Sequence, residues 1–363
     1  MKKTYIDNKN NFREVFDTEN GNYIRTGIIE NGIDTGVDPF MRNFPGLIDI
    51  GVMGNCIHGK SGLCIQSGVQ CYQNGLGITQ PNMTLENFKK IVDECKDKCF
   101  QFALGGRGDV DQHENFEEIL RYCRKNDIVP NFTSSGLGFN KRIIDLCKEL
   151  CGAVAISWYR SEYTLKAIDM LINAKVTTNI HYVLGNNSID EAIDRIKNDS
   201  FPKGINAVVF LLHKPVGLGS QDNILQITDP KVQEFFILVD KAMKEKTISF
   251  KIGFDSCSIP GILNFTSNID HKSIDSCEGG RFSMYITSDM KALPCSFDNQ
   301  DEKWAIDISN KTIKEAWDSE RFEDFRNHFR NSCSSCSSRK ECYGGCPIKR
   351  EIVLCNKSEK ELI

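Results

Sequence analysis

The sequence lacks the features that would place it at a membrane or on nucleic acid. It has no unbroken apolar run of about 18 residues, so no transmembrane helix is expected. Its start, MKKTYIDNKN, has two lysines but no apolar segment after them, so no secretory signal is predicted. Its 45 basic and 49 acidic side chains give a net charge of −4, which offers no reason to expect nucleic-acid or anionic-membrane binding. We therefore expect a cytoplasmic, globular protein.

Cysteine, by contrast, is abundant. Sixteen cysteines in 363 residues without a secretory signal favour metal ligation or catalysis over disulfides. Three of them lie within 56–71 and seven within 277–355. The remainder include two pairs at helical spacing and one single residue, all predicted to be small buried side chains: Cys95, Cys99, Cys123, Cys147 and Cys151.

Short apolar runs alternate with segments of helical periodicity between residues 47 and 255. The runs are 47–53, 100–104, 128–133, 153–158, 176–184 and 206–212. Helical segments follow them, for example TLENFKKIVDECKDK with Thr84 as the expected N-cap. Six such units predict a parallel sheet with helical crossovers, and a closed eight-stranded barrel would need two more. The predicted fold class is therefore α/β, with an open partial (β/α)6 barrel over residues 47–255.

The segments on either side of this barrel have a different character. Residues 1–46 contain strand-like pieces and are predicted to cap one end of the barrel, the alternative being a docking surface for a partner chain. After a further apolar run at 247–254, the alternating stretch 281–295 turns at Ser288-Asp289 and predicts a hairpin. The remaining tail is rich in cysteine and too polar to form its own core. A C-terminal domain over residues 256–363 is therefore expected to need metal to fold.

The C-terminal cysteines have a distinctive spacing. CSSCSSRKECYGGC (333–346) reads C-x2-C-x5-C-x3-C, and it lies between Cys277 and Cys295 upstream and Cys355 downstream. Seven thiolates are too many for one zinc ion and fit two metal centres better. Their order and spacing resemble the seven-cysteine SPASM domain of radical S-adenosylmethionine (SAM) enzymes, of which CYGGCP and IKEAWDSERFEDFR are typical. One departure is Met290, which stands where that family usually has glycine.

This resemblance implies two auxiliary [4Fe–4S] clusters in the C-terminal domain. The outer cluster would be held by Cys333, Cys336, Cys342 and Cys355. The inner cluster would be held by Cys277, Cys295 and Cys346. Cys257 is the one unassigned cysteine close enough in sequence to be a fourth inner ligand, the alternative being a buried structural cysteine.

The N-terminal cysteines follow the first apolar run, where radical SAM enzymes carry the three ligands of their catalytic [4Fe–4S] cluster. Three thiolates leave one iron open to SAM. The spacing of Cys56, Cys64 and Cys71 is C-x7-C-x6-C instead of the usual C-x3-C-x2-C, but the glycines of this longer loop permit tight turns. The position and the Cys71-Tyr72 pair favour the assignment over a peripheral loop that binds zinc or nothing. His58, between the first two cysteines, is a further candidate ligand.

The resemblance also implies contacts to SAM. LGGRGD (104–109) contains Gly105 and Gly106 of the family's GGE-like motif, and Asp109 is expected to take the acidic role because Arg107 occupies the usual position. KPVGLG (214–219) resembles the glycine-containing loop that passes the adenine. Further candidate SAM-binding residues, each with a strand-end cap or core polar group as the alternative, are Tyr72, Ser134, Ser157, Arg160, Asn179 and His181.

The reaction implied by the resemblance is reductive cleavage of SAM to a 5′-deoxyadenosyl radical that abstracts hydrogen from a substrate. The expected cofactors are SAM and three [4Fe–4S] clusters, with an electron donor such as flavodoxin or ferredoxin. A peptide or protein substrate is expected, with a thioether or other crosslink as product.

Three alternatives remain open. They are Cys or Ser oxidation as in anaerobic sulfatase maturases, radical chemistry on a small molecule, and a zinc or iron–sulfur protein without catalysis. Ser296 stands where those maturases carry an aspartate base, so the candidate general bases are Asp255 and Asp298.

Overall fold

The structure is a computed structural model that describes residues 1–270, 273–299 and 301–356. Residues 357–363, which belong to the predicted C-terminal domain, lie outside the described residues. The strands are β1 Lys2–Asp7, β2 Phe12–Asp17, β3 Tyr23–Arg25, β4 Ile29–Glu30, β5 Ile33–Asp34, β6 Leu47–Met53, β7 Gln101–Gly106, β8 Val129–Ser134, β9 Val154–Ser157, β10 Thr178–Leu184, β11 Ala207–Leu212, β12 Lys251–Phe254, β13 Ser283–Ile286, β14 Lys291–Leu293 and β15 Ile306–Asp307.

The helices comprise six that follow the barrel strands, two in the loop after β6 and four in the C-terminal region. They are α1 Ile57–Ser61, α2 Leu63–Gln66, α3 Leu85–Cys95, α4 Phe116–Lys125, α5 Lys141–Leu150, α6 Glu162–Asn173, α7 Ile189–Lys197, α8 Pro230–Glu245, α9 Ile259–Phe265, α10 Ile313–Trp317, α11 Glu320–Asn331 and α12 Arg339–Cys342. Thr84 caps α3 as predicted, because its side chain accepts a hydrogen bond from the backbone N–H of Asn87. In the part of the chain that is described, no helix is long and apolar enough to cross a membrane.

Ten strands form one sheet in the order β12-β11-β10-β9-β8-β7-β6-β13-β14-β15. Strands β6 to β12 are parallel and adjacent in chain order, which confirms the α/β fold class and the six predicted barrel strands. The sheet is larger than predicted at both edges. The apolar run at 247–254 supplies β12 at one edge, and β13 pairs in parallel with β6 at the other. The predicted hairpin β13–β14 therefore continues the barrel sheet instead of starting a separate one.

The two faces of the barrel strands differ in chemistry. Ile48, Ile50 and Val52 of β6 pack with Phe88 and Ile91 of α3 in the main hydrophobic core. The alternate residues face the concave side of the sheet, which we call the bore. On β11 this face carries the apolar residues Val209 and Leu211. On β6 to β10 it carries polar or small residues: Asp49, Gly51, Ala103, Gly105, Asn131, Thr133, Ala155, Ser157, Asn179 and His181. Such a lining leaves room for a polar ligand.

Residues 1–46 cover the amino-terminal ends of β7 and β8. Strands β1, β2 and β3 form an antiparallel sheet, and Phe16 of β2 stacks on Phe100 with ring centroids 5.4 Å apart. Phe100 directly precedes β7, and both rings pack against Val129, the first residue of β8. The buried Arg42 Nε donates a hydrogen bond to Glu14 Oε2 at 2.8 Å. This segment therefore lies at the end of the sheet opposite the Cys56–Cys71 loop, which follows the carboxyl end of β6.

The cysteines predicted to be structural lie in the core. Cys95, Cys99, Cys123 and Cys147 are fully buried, and the half-buried Cys151 packs against the same core. Cys99 Sγ also donates to the Pro45 carbonyl at 3.1 Å. These thiols fill the space between helices and strands, as small apolar side chains do.

Candidate active site

The loop between β6 and α3 brings the thiols of Cys56, Cys64 and Cys71 to one side. Cys64 is buried on α2, and the other two are half-buried. Burial raises the pKa of Cys64, and the neighbouring Cys71 thiol raises it further. Burial raises the pKa of the Tyr159 hydroxyl, and the charge of Asp109 raises it further. All three thiols lie close enough to add to this rise. We call these three residues the loop thiol set.

Arg107 closes the long loop. Its Nε donates to the Gln73 carbonyl at 3.0 Å, and its Nη1 donates to the Gly54 carbonyl at 3.3 Å and to Gln80 Oε1 at 3.1 Å. Gly54 starts the loop, whereas Gln73 and Gln80 lie near its end. The arginine that stands in place of the family's acidic residue therefore ties both ends of the loop together. This role was not predicted from the sequence, because it depends on contacts between distant segments.

A buried group of three polar residues holds the start of the loop. Asp109 Oδ1 accepts a hydrogen bond from the Ser135 N–H at 2.9 Å, and its Oδ2 lies 3.0 Å from His58 Nε2. The Ser135 hydroxyl lies 2.7 Å from the same His58 nitrogen. Both oxygens of Asp109 are thus engaged within the protein, so the structure places Asp109 as a loop anchor instead of a free carboxylate for SAM. His58 contributes through Nε2 to this anchor, and its buried Nδ1 has no hydrogen-bond partner within the described residues.

The segment KPVGLG holds the end of the loop. The Leu218 N–H donates to the Cys71 carbonyl at 2.9 Å. Gly217 has a φ of +63°, and a Cβ there would lie 2.4 Å from the Tyr72 carbonyl oxygen. Only glycine combines this backbone conformation with such a close approach. The segment predicted to pass the adenine therefore also positions Cys71 and Tyr72.

Several predicted SAM-binding residues meet in the bore. Ser157 lies opposite His181 in the sheet, and Asn179 faces the same side two residues earlier. His181 Nδ1 lies 3.3 Å from Thr133 Oγ1, and burial lowers the pKa of His181 to about 4. Its imidazole is therefore neutral at physiological pH.

Both glycines of the GGE-like motif also lie at this end of the sheet. Gly105 faces open space. Gly106 has a φ of +118°, and a Cβ there would lie 2.5 Å from the Met53 carbonyl oxygen. Gly106 therefore permits the close approach of β7 to the end of β6.

Two predicted SAM-binding residues point elsewhere. Ser134 is buried on the outer face of β8, where its hydroxyl accepts a hydrogen bond from the Gly136 N–H at 3.0 Å. The alternation of side chains along a strand instead places Thr133 in the bore. Arg160 pairs with Glu191 of α7 at 2.5 Å and donates to the Trp158 carbonyl. The structure thus brings neither Ser134 nor Arg160 to the bore.

Asp49 is a bore residue that the sequence reasoning missed. It lies opposite Tyr285 of β13, and its carboxylate has no hydrogen-bond or ion-pair partner within residues 1–270, 273–299 and 301–356. Burial raises its pKa to about 7. Its charge contributes to the raised pKa values of the nearby Tyr72 and Tyr285 hydroxyls. The signal that was available is an acid in the otherwise apolar strand LIDIGVM.

A second set of thiols, Cys257, Cys277, Cys295 and Cys346, lies beside the bore. We call it the inner thiol set. A hydrogen bond between the Cys257 and Cys346 thiols, followed by burial, raises the pKa of Cys257. Burial raises the pKa of Cys295, and the neighbouring thiols of Cys277 and Cys257 raise it further. Cys346 Sγ also accepts the Lys349 N–H at 3.4 Å. Four separate chain segments therefore supply these thiols, and Cys257 is one of them.

The outer thiol set is formed by Cys333, Cys336, Cys342 and Cys355. Burial raises the pKa of Cys342 to about 11, and the thiols of Cys333 and Cys355 contribute to the rise. The Cys336 N–H donates to the Cys333 carbonyl at 3.0 Å, which closes the C-x2-C turn. Three consecutive positive φ angles, at residues 343–345, then lead the chain from Cys342 back to Cys346 of the inner thiol set.

The donor chemistry of all three sets fits iron–sulfur clusters. Each set consists of thiols alone, with three in the loop and four in each C-terminal set, which is the ligation that [4Fe–4S] clusters take. Within the described ranges, no three His, Cys, Asp or Glu side chains already sit at metal-ligating distances from a common point.

The two candidate general bases are engaged in local structure. Asp255 Oδ2 accepts hydrogen bonds from Lys214 Nζ at 2.5 Å and from the Leu212 N–H at 3.1 Å. Its Oδ1 accepts the Ser258 hydroxyl at 3.0 Å. The structure therefore does not present Asp255 as a free base.

The Asp298 carboxylate is likewise engaged in local hydrogen bonds. It accepts the backbone N–H groups of Lys303 and Trp304, and burial raises its pKa. Its neighbours face the loop instead: Phe297 packs on Tyr72 with ring centroids 4.9 Å apart, and Asn299 donates to Gln73 Oε1 at 2.7 Å.

Comparison with known proteins agrees with this geometry. Residues 277–342 match the SPASM family of iron–sulfur cluster-binding domains. The chain is similar to Streptococcus suis SuiB bound to the precursor peptide SuiA, with a TM-score of 0.70 and 12% identity over 98% of this chain and 100% of that one. SuiB bound to S-adenosylmethionine gives a TM-score of 0.66 and 14% identity, over 87% of this chain and 78% of that one.

A third similar structure is native anSMEcpe with bound AdoMet and the Cp18Cys peptide. Its TM-score is 0.61 at 17% identity, over 86% of this chain and 91% of that one. A search of curated proteins gave no match. The fold and the C-terminal SPASM domain expected from the resemblance are therefore confirmed.

Proposed function

We propose that this chain is a radical SAM enzyme that cleaves SAM reductively and uses the resulting 5′-deoxyadenosyl radical to abstract hydrogen from a peptide or protein substrate. The observation that carries the proposal is the position of the loop thiol set. It lies at the carboxyl end of β6, beside the bore. Tyr72, next to Cys71, packs on Phe297, which follows Cys295 of the inner thiol set by two residues. When bound, the cluster and SAM supply the radical chemistry.

The ligand assignment follows from the three sets. The loop thiol set would hold the SAM-binding cluster, and its three thiolates leave one iron position open. The outer thiol set would hold one auxiliary cluster. The inner thiol set would hold the other, with Cys257 as its fourth ligand. The hydrogen bond between Cys257 and Cys346 favours this role for Cys257 over a purely structural one.

The protein's own groups would position the reactants. Arg107 and the His58–Asp109–Ser135 group fix the loop, so that its thiols face the bore. In the bore, Thr133, Ser157 and the neutral His181 offer hydrogen bonds without a positive charge. Uncharged donors and acceptors of this kind suit the hydroxyl groups of a nucleoside. Tyr72 closes the side of the bore towards the inner thiol set.

The substrate class rests on fold similarity together with the SPASM match. SuiB binds the precursor peptide SuiA and anSMEcpe binds the Cp18Cys peptide in the similar structures. We propose that this chain also acts on a peptide substrate. The product would be a thioether or other crosslink, and the electron donor would be flavodoxin or ferredoxin. Oxidation of the maturase kind has less support, because Asp255 and Asp298 are both engaged. A cytoplasmic location remains a prediction.

A direct test is the formation of 5′-deoxyadenosine. We expect the anaerobically reconstituted chain to produce it from SAM and dithionite, as detected by mass spectrometry. Cys64→Ala removes a ligand of the SAM-binding cluster and should abolish the product. Cys123→Ala is the matched control, because Cys123 is fully buried and belongs to none of the three thiol sets. Equal product from Cys64→Ala and the wild type would show that the loop thiol set is not the SAM site.

A further inference from the structure

Lys214 is a buried cation beside the inner thiol set. Its side chain is 2% exposed. The ammonium donates to Asp255 Oδ2 at 2.5 Å and to the Leu212 carbonyl at 2.8 Å. It also lies 4.4 Å from the ring centroid of Phe297, which packs on Tyr72. Lys214 therefore stands between the bore and the inner thiol set.

The thiols of that set lie within reach of the ammonium charge. Asp255 directly precedes the turn Ser256–Ser258 that carries Cys257, and it accepts the Ser258 hydroxyl. Burial alone would lower the pKa of Lys214, but Asp255 and the Cys257 thiol outweigh it and raise the pKa. In turn, Lys214 acts on Cys257 more strongly than Asp255 does, and it also acts on Cys295. The ion pair thus presents its positive end to the thiols.

We propose that Lys214 sets the reduction potential of the inner [4Fe–4S] cluster by holding a positive charge beside its ligands. This inference rests on the proposed function. An ammonium group has three N–H donors, and Lys214 uses two of them on Asp255 and Leu212. The ammonium also lies 4.4 Å from the ring centroid of Phe297, two residues after Cys295, so its charge is held close to the ligands without a hydrogen bond to them.

The direction of the effect follows from charge. A four-thiolate cluster is negative in both oxidation states and gains one further negative charge when it accepts an electron from the donor. A buried cation stabilises the reduced form more than the oxidised form, so it raises the reduction potential. No proton transfer accompanies the electron, because Lys214 stays charged throughout. The role is therefore electrostatic.

The test is a redox titration of the full, reconstituted chain with dithionite as reductant. The reduced clusters are monitored by electron paramagnetic resonance. The inner signal is identified as the one lost in Cys277→Ala. Lys214→Met should lower the midpoint potential of the inner cluster by at least about 59 mV, which for one electron is a tenfold change in the reduction equilibrium. Because that variant leaves Asp255 buried and unpaired, Lys214→Met/Asp255→Asn is measured as well. It should show a shift in the same direction with full iron content.

Two further variants serve as controls. Lys231 and Asp190 form an exposed ion pair at 2.7 Å on the outer helices, so Lys231→Met/Asp190→Asn makes the same charge change away from the thiols. It should leave the potential unchanged. Lys214→Arg keeps the positive charge and should keep most of the potential.

Several results would overturn the inference. They are a wild-type potential in both Lys214→Met variants, a shift in Lys214→Arg as large as in Lys214→Met, or loss of the inner iron from the Lys214 variants. The last result would make Lys214 an assembly residue. A wild-type chain that binds no iron would instead contradict the proposed function, so the two failures have different readouts.

Discussion

At residue 290 the chain takes a left-handed backbone conformation that most side chains avoid. Met290 has a φ of +63° in the turn between β13 and β14, and its side chain is 3% exposed in the main core. The left-handed conformation costs a residue with a Cβ about 1–2 kcal/mol. Burial of a methionine side chain contributes roughly 1.5–3 kcal/mol. The departure from glycine at this position is therefore compensated by packing.

This balance predicts an order of stability for two variants. Met290→Ala loses the buried side chain but keeps the strain, so it should lower the free energy of unfolding by about 2–4 kcal/mol. Met290→Gly loses the same side chain but relieves the strain, and it should be about 1 kcal/mol more stable than the alanine variant. Anaerobic urea unfolding of the reconstituted chain measures both. An alanine variant more stable than the glycine variant would contradict the account of the turn.

Asp49 predicts a pH dependence of stability. Its pKa rises to about 7 in the folded chain because of burial, against 3.8 in the unfolded chain. The folded state therefore binds more protons between about pH 4 and pH 7, and stability falls as pH rises through this window.

Replacing the acid should remove this penalty. Asp49→Asn should gain roughly 2 kcal/mol relative to the wild type between pH 5 and pH 8, after allowance for the partial accessibility of the side chain. Thermal unfolding at the two pH values measures the difference. Asp145→Asn, at an exposed acid paired with Lys141, is the control and should follow the wild type. A wild-type slope in Asp49→Asn would show that Asp49 does not titrate in this range.

Residue types were easier to predict than residue partners. The thiol sets follow from spacing and family resemblance, and both are properties of the local sequence. Ser134 and Thr133 are neighbours on one strand, so an error of one residue moves the side chain to the opposite face. Arg160 and Asp255 were placed near SAM or substrate, but their ion pairs with Glu191 and Lys214 depend on folding. Such long-range contacts leave no trace in a single sequence.

At the scale of elements, the loop between β6 and α3 is the most unusual part of the fold. It is longer than the usual cysteine loop of the family, and three tethers hold it. Arg107 joins its two ends, the His58–Asp109–Ser135 group holds its start, and the segment around Gly217 holds Cys71. The long spacing is therefore compatible with a single cluster, because the tethers bring the thiols to one side.

The Arg107 tether can be tested by its effect on cluster assembly. Arg107→Met removes three hydrogen bonds to the loop, so it should lower the iron content by about four atoms per chain and abolish 5′-deoxyadenosine formation. The SPASM clusters should be retained. Arg121→Met, at an exposed arginine of α4, is the control and should keep full iron and activity. Unchanged iron in Arg107→Met would mean that the loop closes without this residue.

The barrel strands were predictable because continuous apolar runs mark strands buried on both faces. The pairing of β13 with β6 was not, because residues 283–286 and 47–50 are far apart in sequence and nothing local specifies their register. The short strand β12 was seen as an apolar run but not counted as a barrel strand. Its four residues are half-buried or exposed and carry a weaker pattern than the buried strands.

At the scale of the whole molecule, the two ends of the barrel strands differ: one is covered by residues 1–46 and the other carries the candidate active site. Residues 1–46 cover the amino-terminal ends of β7 and β8. The carboxyl end carries the loop thiol set and the polar bore. The hairpin β13–β14 extends the same sheet into the SPASM domain and so connects the bore to the inner thiol set. The three thiol sets therefore belong to one continuous scaffold, which suits electron transfer between them.

The most direct test of the central claim is a count of iron and sulfide per chain after anaerobic reconstitution. Three [4Fe–4S] clusters predict about twelve of each. Cys64→Ala, Cys277→Ala and Cys342→Ala, one from each thiol set, should each lower the count by about four. Zinc in place of iron, or a wild-type count near eight that Cys64→Ala leaves unchanged, would contradict the assignment of the loop thiol set and the catalytic function with it.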